Sequence, residues 1–145
     1  MKLLKQVIIA LSLTVLLSNV NGQSADYSYA AIISILHKGD YQKAIEEINF
    51  LVSKNNENST GLLFLRSTIY VELNQLDNAL NDICKVISVS EFSDYYLERG
   101  YIHRLQNKYR EALEDYNTAI KLNKGNQLAY TRRAFLNNTL GNYQL

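Results

Sequence analysis

The chain has 145 residues, 47% of them hydrophobic and 20% charged, with 11 Tyr, one Cys and neither Pro nor Trp. This is the composition of a globular rather than a disordered chain, with room for one modest core. The formal net charge of +1 gives no electrostatic reason to expect nucleic acid, and the lone Cys84 excludes an intrachain disulfide framework.

Residues 1–22 carry Lys2 and Lys5, then the eleven-residue apolar run VIIALSLTVLL (Val7–Leu17), then SNVNG with Val20 and Gly22 at signal-peptidase spacing. They read as a secretory signal peptide cut between Gly22 and Gln23. The run is short for a membrane-spanning helix, which needs about 20 residues. The alternative is an uncleaved N-terminal membrane anchor. Removing residues 1–22 leaves 13 basic and 14 acidic residues, a net charge of −1. The expected destination is the periplasm or the medium.

Beyond the leader, apolar-periodic segments alternate in two kinds. The first kind falls at about 26–37, 60–73, 93–106 and 127–140. The second kind begins GDYQKAIEEI (39–48), NQLDNALNDI (74–83), NKYREALEDY (107–116) and GNYQL (141–145). Tyr41, Leu76, Tyr109 and Tyr143 stand at its third place, at intervals of 35, 33 and 34 residues. Three places on comes a small residue: Ala44, Ala79 and Ala112. The apolar sets Ala44/Ile48/Leu51/Val52, Ala79/Ile83/Val86/Ile87 and Ala112/Tyr116/Ala119/Ile120 each follow i, i+4, i+7, i+8. That spacing puts one apolar stripe on an α-helix. Breaks at Gly39-Asp40, Asn74-Gln75, Asn107-Lys108 and Gly141-Asn142 suit short helix–helix turns. No segment shows sustained strand alternation. The unit is therefore a helix–turn–helix of about 34 residues, whose alanines let two helices approach closely. One such pair cannot bury its stripes alone, so neighbouring pairs must stack.

The pattern resembles the tetratricopeptide repeat (TPR) family. The third unit, YYLERGYIHRLQNKYREALEDYNTAIKLN, matches most fully, through Tyr96, Gly100, Tyr109, Ala112, Tyr116, Ala119 and Leu122. His103 stands where the family usually has Tyr. The second unit matches at Tyr70, Leu76 and Ala79, with Ser67 for the small Gly; the first has Ile32 there and a well-matched Tyr41–Lys54. The Pro usual near a unit's end is absent, and Lys124 occupies that place in the third. The resemblance implies an all-α, right-handed superhelix of antiparallel helix pairs, a TPR-like α-solenoid, over residues 23–145. Its units are about 25–59, 60–92 and 93–126, with a partial fourth at 127–145. That fourth unit is either the start of a longer array or a terminal cap.

Chemistry is sparse. His37 and His103 lie far apart with no HExxH or CxxC, so no metal or other cofactor is expected. Cys84 reads as a small packing residue rather than a nucleophile. Glu46-Glu47 and Glu114-Asp115 are adjacent pairs, and helix neighbours point about 100° apart. They read as solvated surface charges, and the chain as no enzyme. Asn58-Ser59-Thr60 and Asn137-Asn138-Thr139 fit the glycosylation pattern.

What remains is recognition. The resemblance implies a concave wall lined by the first helix of each unit, binding a protein or peptide partner. It would carry Tyr29 and Ile33; Phe64, Thr68 and Glu72; Glu98, Tyr101 and Arg104; and Arg132 and Phe135. Aromatics flanked by Arg and Glu suit a peptide, rings supplying buried area and charges setting register. Tyr29, Phe64 and Tyr101 serve equally well as interhelical packing, and Glu72 and Arg104 as solvated residues. Some TPR domains hold a chaperone's C-terminal carboxylate with Lys and Asn. The matching places here hold Tyr29, Ile33, Leu65, Asp94 and Glu98, so that grip is not expected. Two other functions are open: self-association through the unfinished fourth unit, or the TPR part of a longer regulatory protein or enzyme.

Overall fold

The computed structural model describes residues 26–54 and 60–141. The leader at 1–22, Asn58 and Ser59 of the first glycosylation match, and 142–145 of GNYQL lie outside the described residues. Among the described residues all regular structure is α-helical, in seven helices. They are α1 (Asp26–His37), α2 (Tyr41–Lys54), α3 (Thr60–Glu72), α4 (Leu76–Val89), α5 (Ser93–Leu105), α6 (Tyr109–Leu122) and α7 (Gln127–Thr139). None is long and apolar enough to cross a membrane.

The turns explain the Gly and Asn residues at the breaks. Gly39, Asn74, Asn107 and Gly141 all have positive φ, between 56° and 77°. In the first three turns two backbone bonds close the helix end in the same way. Gly39 N donates to Leu36 O and Asp40 N to Ile35 O; Asn74 N to Val71 O and Gln75 N to Tyr70 O; Asn107 N to Arg104 O and Lys108 N to His103 O. This is the Schellman arrangement, which needs a left-handed residue at its pivot. Gly has no Cβ to clash there, and Asn tolerates the region better than most residues. The left-handed residue ends the helix, so α3 and α5 stop one residue before the sequence pattern placed their ends. Polar caps then start the next helices. Asp40 Oδ1 accepts from Lys43 N at 3.2 Å ahead of α2, and Asn126 Oδ1 from Ala129 N at 3.1 Å ahead of α7. Asn126 thus supplies the punctuation that no Pro provides.

The chain divides into two compact units, 1–75 and 76–145. In the first, α1, α2 and α3 close around Ile32, Ile33, Leu36, Ala44, Ile45, Ile48, Leu62, Leu65 and Ile69. The Ile at the family's small position is wholly buried there. In the second, α5, α6 and α7 enclose Tyr96, Leu97, Ala112, Tyr116, Ala119, Ala129 and Leu136. Tyr116 is the largest fully buried side chain. Burying an aromatic of this size contributes about 2–3 kcal/mol. It fits because Gly100 on α5 leaves room: a Cβ at Gly100 would stand 2.8 Å from Tyr116 Cε1 and 3.0 Å from Asp115 Cβ. Ser93 Oγ donates to Ala119 O at 2.8 Å, and Asn126 Nδ2 donates to Ser93 Oγ at 2.8 Å, tying α5, the end of α6 and the start of α7 together.

Two sequence expectations change. Asp115 is not a solvated charge: it is buried, although Glu114 beside it is exposed. The 100° step between helix neighbours, which separates the two carboxylates, turns Asp115 toward α5. Cys84 is exposed rather than packed, one place beyond the buried Ile83 on α4.

Candidate functional site

The second unit gathers several of the candidate residues. Glu98, Tyr101 and Arg104 recur every three residues along α5 and so share one flank of that helix. Arg132 on α7 reaches the same place. The Arg132 guanidinium lies 4.3 Å from the Tyr101 ring centroid, and the Arg104 guanidinium 5.0 Å. Both are within the range at which a ring's negative face attracts a cation. Arg132 Nη1 also donates to Leu97 O at 3.4 Å. Among the described residues neither arginine has an ion pair. Both are half-buried.

Below them the site is closed. Glu98 is 1% exposed and Tyr116 fully buried. Burial raises the Tyr116 pKa, while the positive charges of Arg132 and Arg104 pull it down. Phe135, three residues after Arg132 on α7, is 61% exposed. The arrangement is a Tyr ring with two guanidinium groups within 5.0 Å of its centroid, a buried acid one turn earlier on α5, and an exposed aromatic one turn beyond Arg132 on α7. It can hold an extended chain or an anionic group; it has no paired nucleophile and base. No group of three or more His, Cys, Asp or Glu among the described residues is placed to hold a metal.

The first unit holds the other candidates. Tyr29 is half-buried against the core, its hydroxyl 3.2 Å from where a Cβ of Gly61 would stand, and burial raises its pKa. Ile33 is buried, and Thr68 is 2% exposed with its hydroxyl donating to Leu65 O at 2.7 Å. Tyr29, Phe64 and Glu72 of this group keep surface, each half-buried.

Sequence reasoning missed a second polar centre behind the first. Arg99 Nε donates to Asp115 Oδ2 at 3.0 Å and Nη2 to Oδ1 at 2.6 Å, a two-pronged bond between α5 and α6. This bond raises the Arg99 pKa against the cost of burial. His103 Nε2 lies 3.7 Å from Asp115 Oδ2. Burial lowers the His103 pKa, with Arg99 and Lys108 adding to the effect and Asp115 opposing it. Burial thus favours the neutral imidazole. A signal for this centre was present: Arg66, Arg99 and Arg133 recur at intervals of 33 and 34 residues, the repeat period. Arg66 donates to Asn49 Oδ1 on α2, and Arg133 to Asn117 Oδ1 on α6. The recurring arginine fastens first helices to second helices.

Comparison with known proteins is consistent with this geometry. Two family models, both described as tetratricopeptide repeat, match residues 60–92 and 93–126. In sequence these spans cover α3 with α4 and α5 with α6. A TPR repeat-containing protein of Methanocaldococcus jannaschii is 34% identical over 104 residues, 72% of this chain. The chain spans 18% of the length of each curated relative it matches. Among solved structures, a tetratricopeptide repeat protein from Parabacteroides merdae superposes with a TM-score of 0.76 at 26% identity, over 84% of this chain and 49% of that one. The first TPR of Spaghetti (RPAP3), solved with an HSP90 peptide, gives 0.71 at 20% identity, over 77% and 89%. Two matched repeats, and a relative at 34% identity, make this chain a tetratricopeptide repeat protein with that family's all-α solenoid fold.

Proposed function

We propose that the chain is a non-catalytic protein–protein interaction scaffold, taking a peptide or protein segment on side chains of its first helices. The observation that carries this is the meeting of Tyr101, Arg104 and Arg132 from two helices, with Phe135 exposed beside them. Rings and arginines in a half-buried setting are the residue types that dominate binding energy at interfaces. The RPAP3 domain solved with an HSP90 peptide supports the same reading by its fold. The groups that hold a chaperone carboxylate in some TPR domains have no counterpart at Tyr29, Ile33, Leu65, Asp94 and Glu98. A different partner is therefore expected.

The test is recovery of a partner from periplasmic or secreted extract with residues 23–145 as bait, repeated with Tyr101→Ala and Arg104→Ala together. The partner is expected to be lost from the double variant. Its retention would place the site elsewhere. Export is part of the proposal and rests on the basic start and the Val7–Leu17 run. N-terminal sequencing of the exported protein should begin at Gln23.

Self-association is a second reading, favoured by Tyr130, Phe135 and Leu140, all exposed on or next to α7. Size-exclusion chromatography with light scattering decides it, and a monomer at all concentrations removes it.

A further inference from the structure

One side of α7 is tied to the core of the second unit. Ala129 and Leu136 are buried in it, and Arg133 donates to Asn117 on α6. The other side is bare and carries Tyr130, Ala134, Phe135 and Asn138, and no exposed position of α7 is charged. The second helices differ: α2 exposes Lys43 and Glu46, α4 Asp77 and Lys85, and α6 Arg110 and Glu114. The repeat period marks the same bare side. Ile32, Ser67 and Gly100 share one place in successive repeats, and all three are buried. At Gly100 the cover is a helix, α6, whose Tyr116 Cε1 would stand 2.8 Å from a Cβ there. Ala134 holds that place one period later and is exposed. So α7 offers the small-residue seat that elsewhere receives a helix. Tyr130 at 41% and Phe135 at 61% exposed border it. Exposed rings without charge are the composition of an interface core rather than of ordinary surface.

We propose that this face binds the same face of a second copy, α7 against α7 in an antiparallel two-fold contact. This rests on the self-association reading above and names its surface and its geometry. A two-fold contact sets each patch against itself, so any charge at its centre would meet its like. The bare face of α7 has no charge to repel a copy of itself, and none to select a charged partner. Ala134 lets two helices approach closely, as Gly100 does between α5 and α6. Tyr130 and Asn138 lie one turn to either side of Ala134. An antiparallel pair crossing at Ala134 therefore sets the Tyr130 hydroxyl of each copy against the Asn138 amide of the other, a donor facing an acceptor. The 13 residues of α7 span about 20 Å. Two helices of this length make a contact smaller than the roughly 1,200 Å² of stable complexes, so the dimer is concentration-dependent.

The test uses residues 23–145 with Cys84→Ser, so that no disulfide at the exposed Cys84 imitates the contact. Light scattering on the size-exclusion eluate, over loads from micromolar to near millimolar, should show the mass of one chain rising to that of two. Ala134→Arg puts bulk and like charges at the crossing and should hold the mass at one chain throughout. Tyr130→Ala should move the dimerisation midpoint to about tenfold higher concentration, the scale of losing a buried ring edge and its hydrogen bond. Val89→Ser removes a side chain 74% exposed on α4 and should change nothing. Far-UV circular dichroism of every variant should match the parent, because each substituted position is exposed. A dimer that survives Ala134→Arg, or one that Val89→Ser dissolves, overturns the α7 contact and leaves self-association standing. Growth beyond two chains overturns the two-fold geometry in the same way. The mass of one chain at every concentration overturns both and assigns the face to a partner other than this chain.

Discussion

Replacing Gly100 by Ala tests the closeness of α5 and α6 directly. A Cβ at this position would come to 2.8 Å from Tyr116 Cε1 and 2.9 Å from Cδ1, closer than real Cβ atoms come to their neighbours, and to 3.0 Å from Asp115 Cβ, tighter than most such contacts. None of these neighbours can yield easily. Tyr116 is fully buried with Ala112 and Ala119 in the same cluster, and Asp115 is pinned by Arg99. Forcing one methyl into such a core costs about 1–3 kcal/mol. Against this, Ala is better than Gly inside a helix by about 1 kcal/mol. The contacts lie at the severe end, so the net expectation is a loss of about 1–2 kcal/mol. Urea unfolding followed by circular dichroism measures it. Gly61→Ala is the internal comparison, because its methyl meets only the Tyr29 hydroxyl at 3.2 Å, the far end of a side chain that can move. That variant should be neutral or gain up to about 1 kcal/mol. A cycle with Tyr116→Leu should show the two Gly100 effects to be coupled, the alanine costing less once the ring is gone. If Gly100→Ala is as stable as the wild type, the helices are not held at this distance and the packing argument fails.

Three further outcomes follow from the turns and the buried charges. Asn74→Gly should stabilise by up to about 1 kcal/mol and Asn74→Ala should destabilise by a similar amount, read from the urea midpoint, because position 74 has a φ of 56°. Arg99→Met leaves the buried Asp115 carboxylate without its main partner. It should cost about 2–3 kcal/mol, somewhat below a fully buried pair because the Arg99 side chain is 26% exposed, and adding Asp115→Leu should recover part of it. The His103 pKa is lowered on folding, so the unfolded chain takes up this proton first as pH falls. Its effect is nil well above the unfolded value of about 6.5, and it destabilises increasingly as pH drops through that value toward the folded one. His103→Gln should therefore lose less stability than the wild type between neutral and mildly acidic pH, and an identical loss in both would refute the assignment.

The period and the second helices were legible because their signal is redundant. Ala44, Ala79 and Ala112 are all fully buried, and each is followed by apolar residues at helical spacing. The turns were legible as breaks, since few residues besides Gly and Asn accept a left-handed pivot. The polar interior was not. Glu and Asp are solvated by default, and nothing local distinguishes Asp115, which has a bidentate partner sixteen residues upstream, from Glu114, which is exposed. Thr68 hid for a different reason: its hydroxyl is satisfied by the Leu65 carbonyl in its own helix, so it packs as an apolar side chain would. The meeting of Arg104 and Arg132 at Tyr101 joins residues from two different repeats, a proximity that only the stacking of helices creates.

The Schellman turns also bear on how the chain reaches its fold. Each closes with bonds spanning at most six residues, between groups that meet whenever the preceding helix forms. Within each unit, at the Gly39 turn and at the Asn107 turn, the chain thus doubles back without needing a distant contact. Nucleation can begin at any of them, and the search is confined to short stretches of chain, which is the condition for rapid acquisition of the native topology.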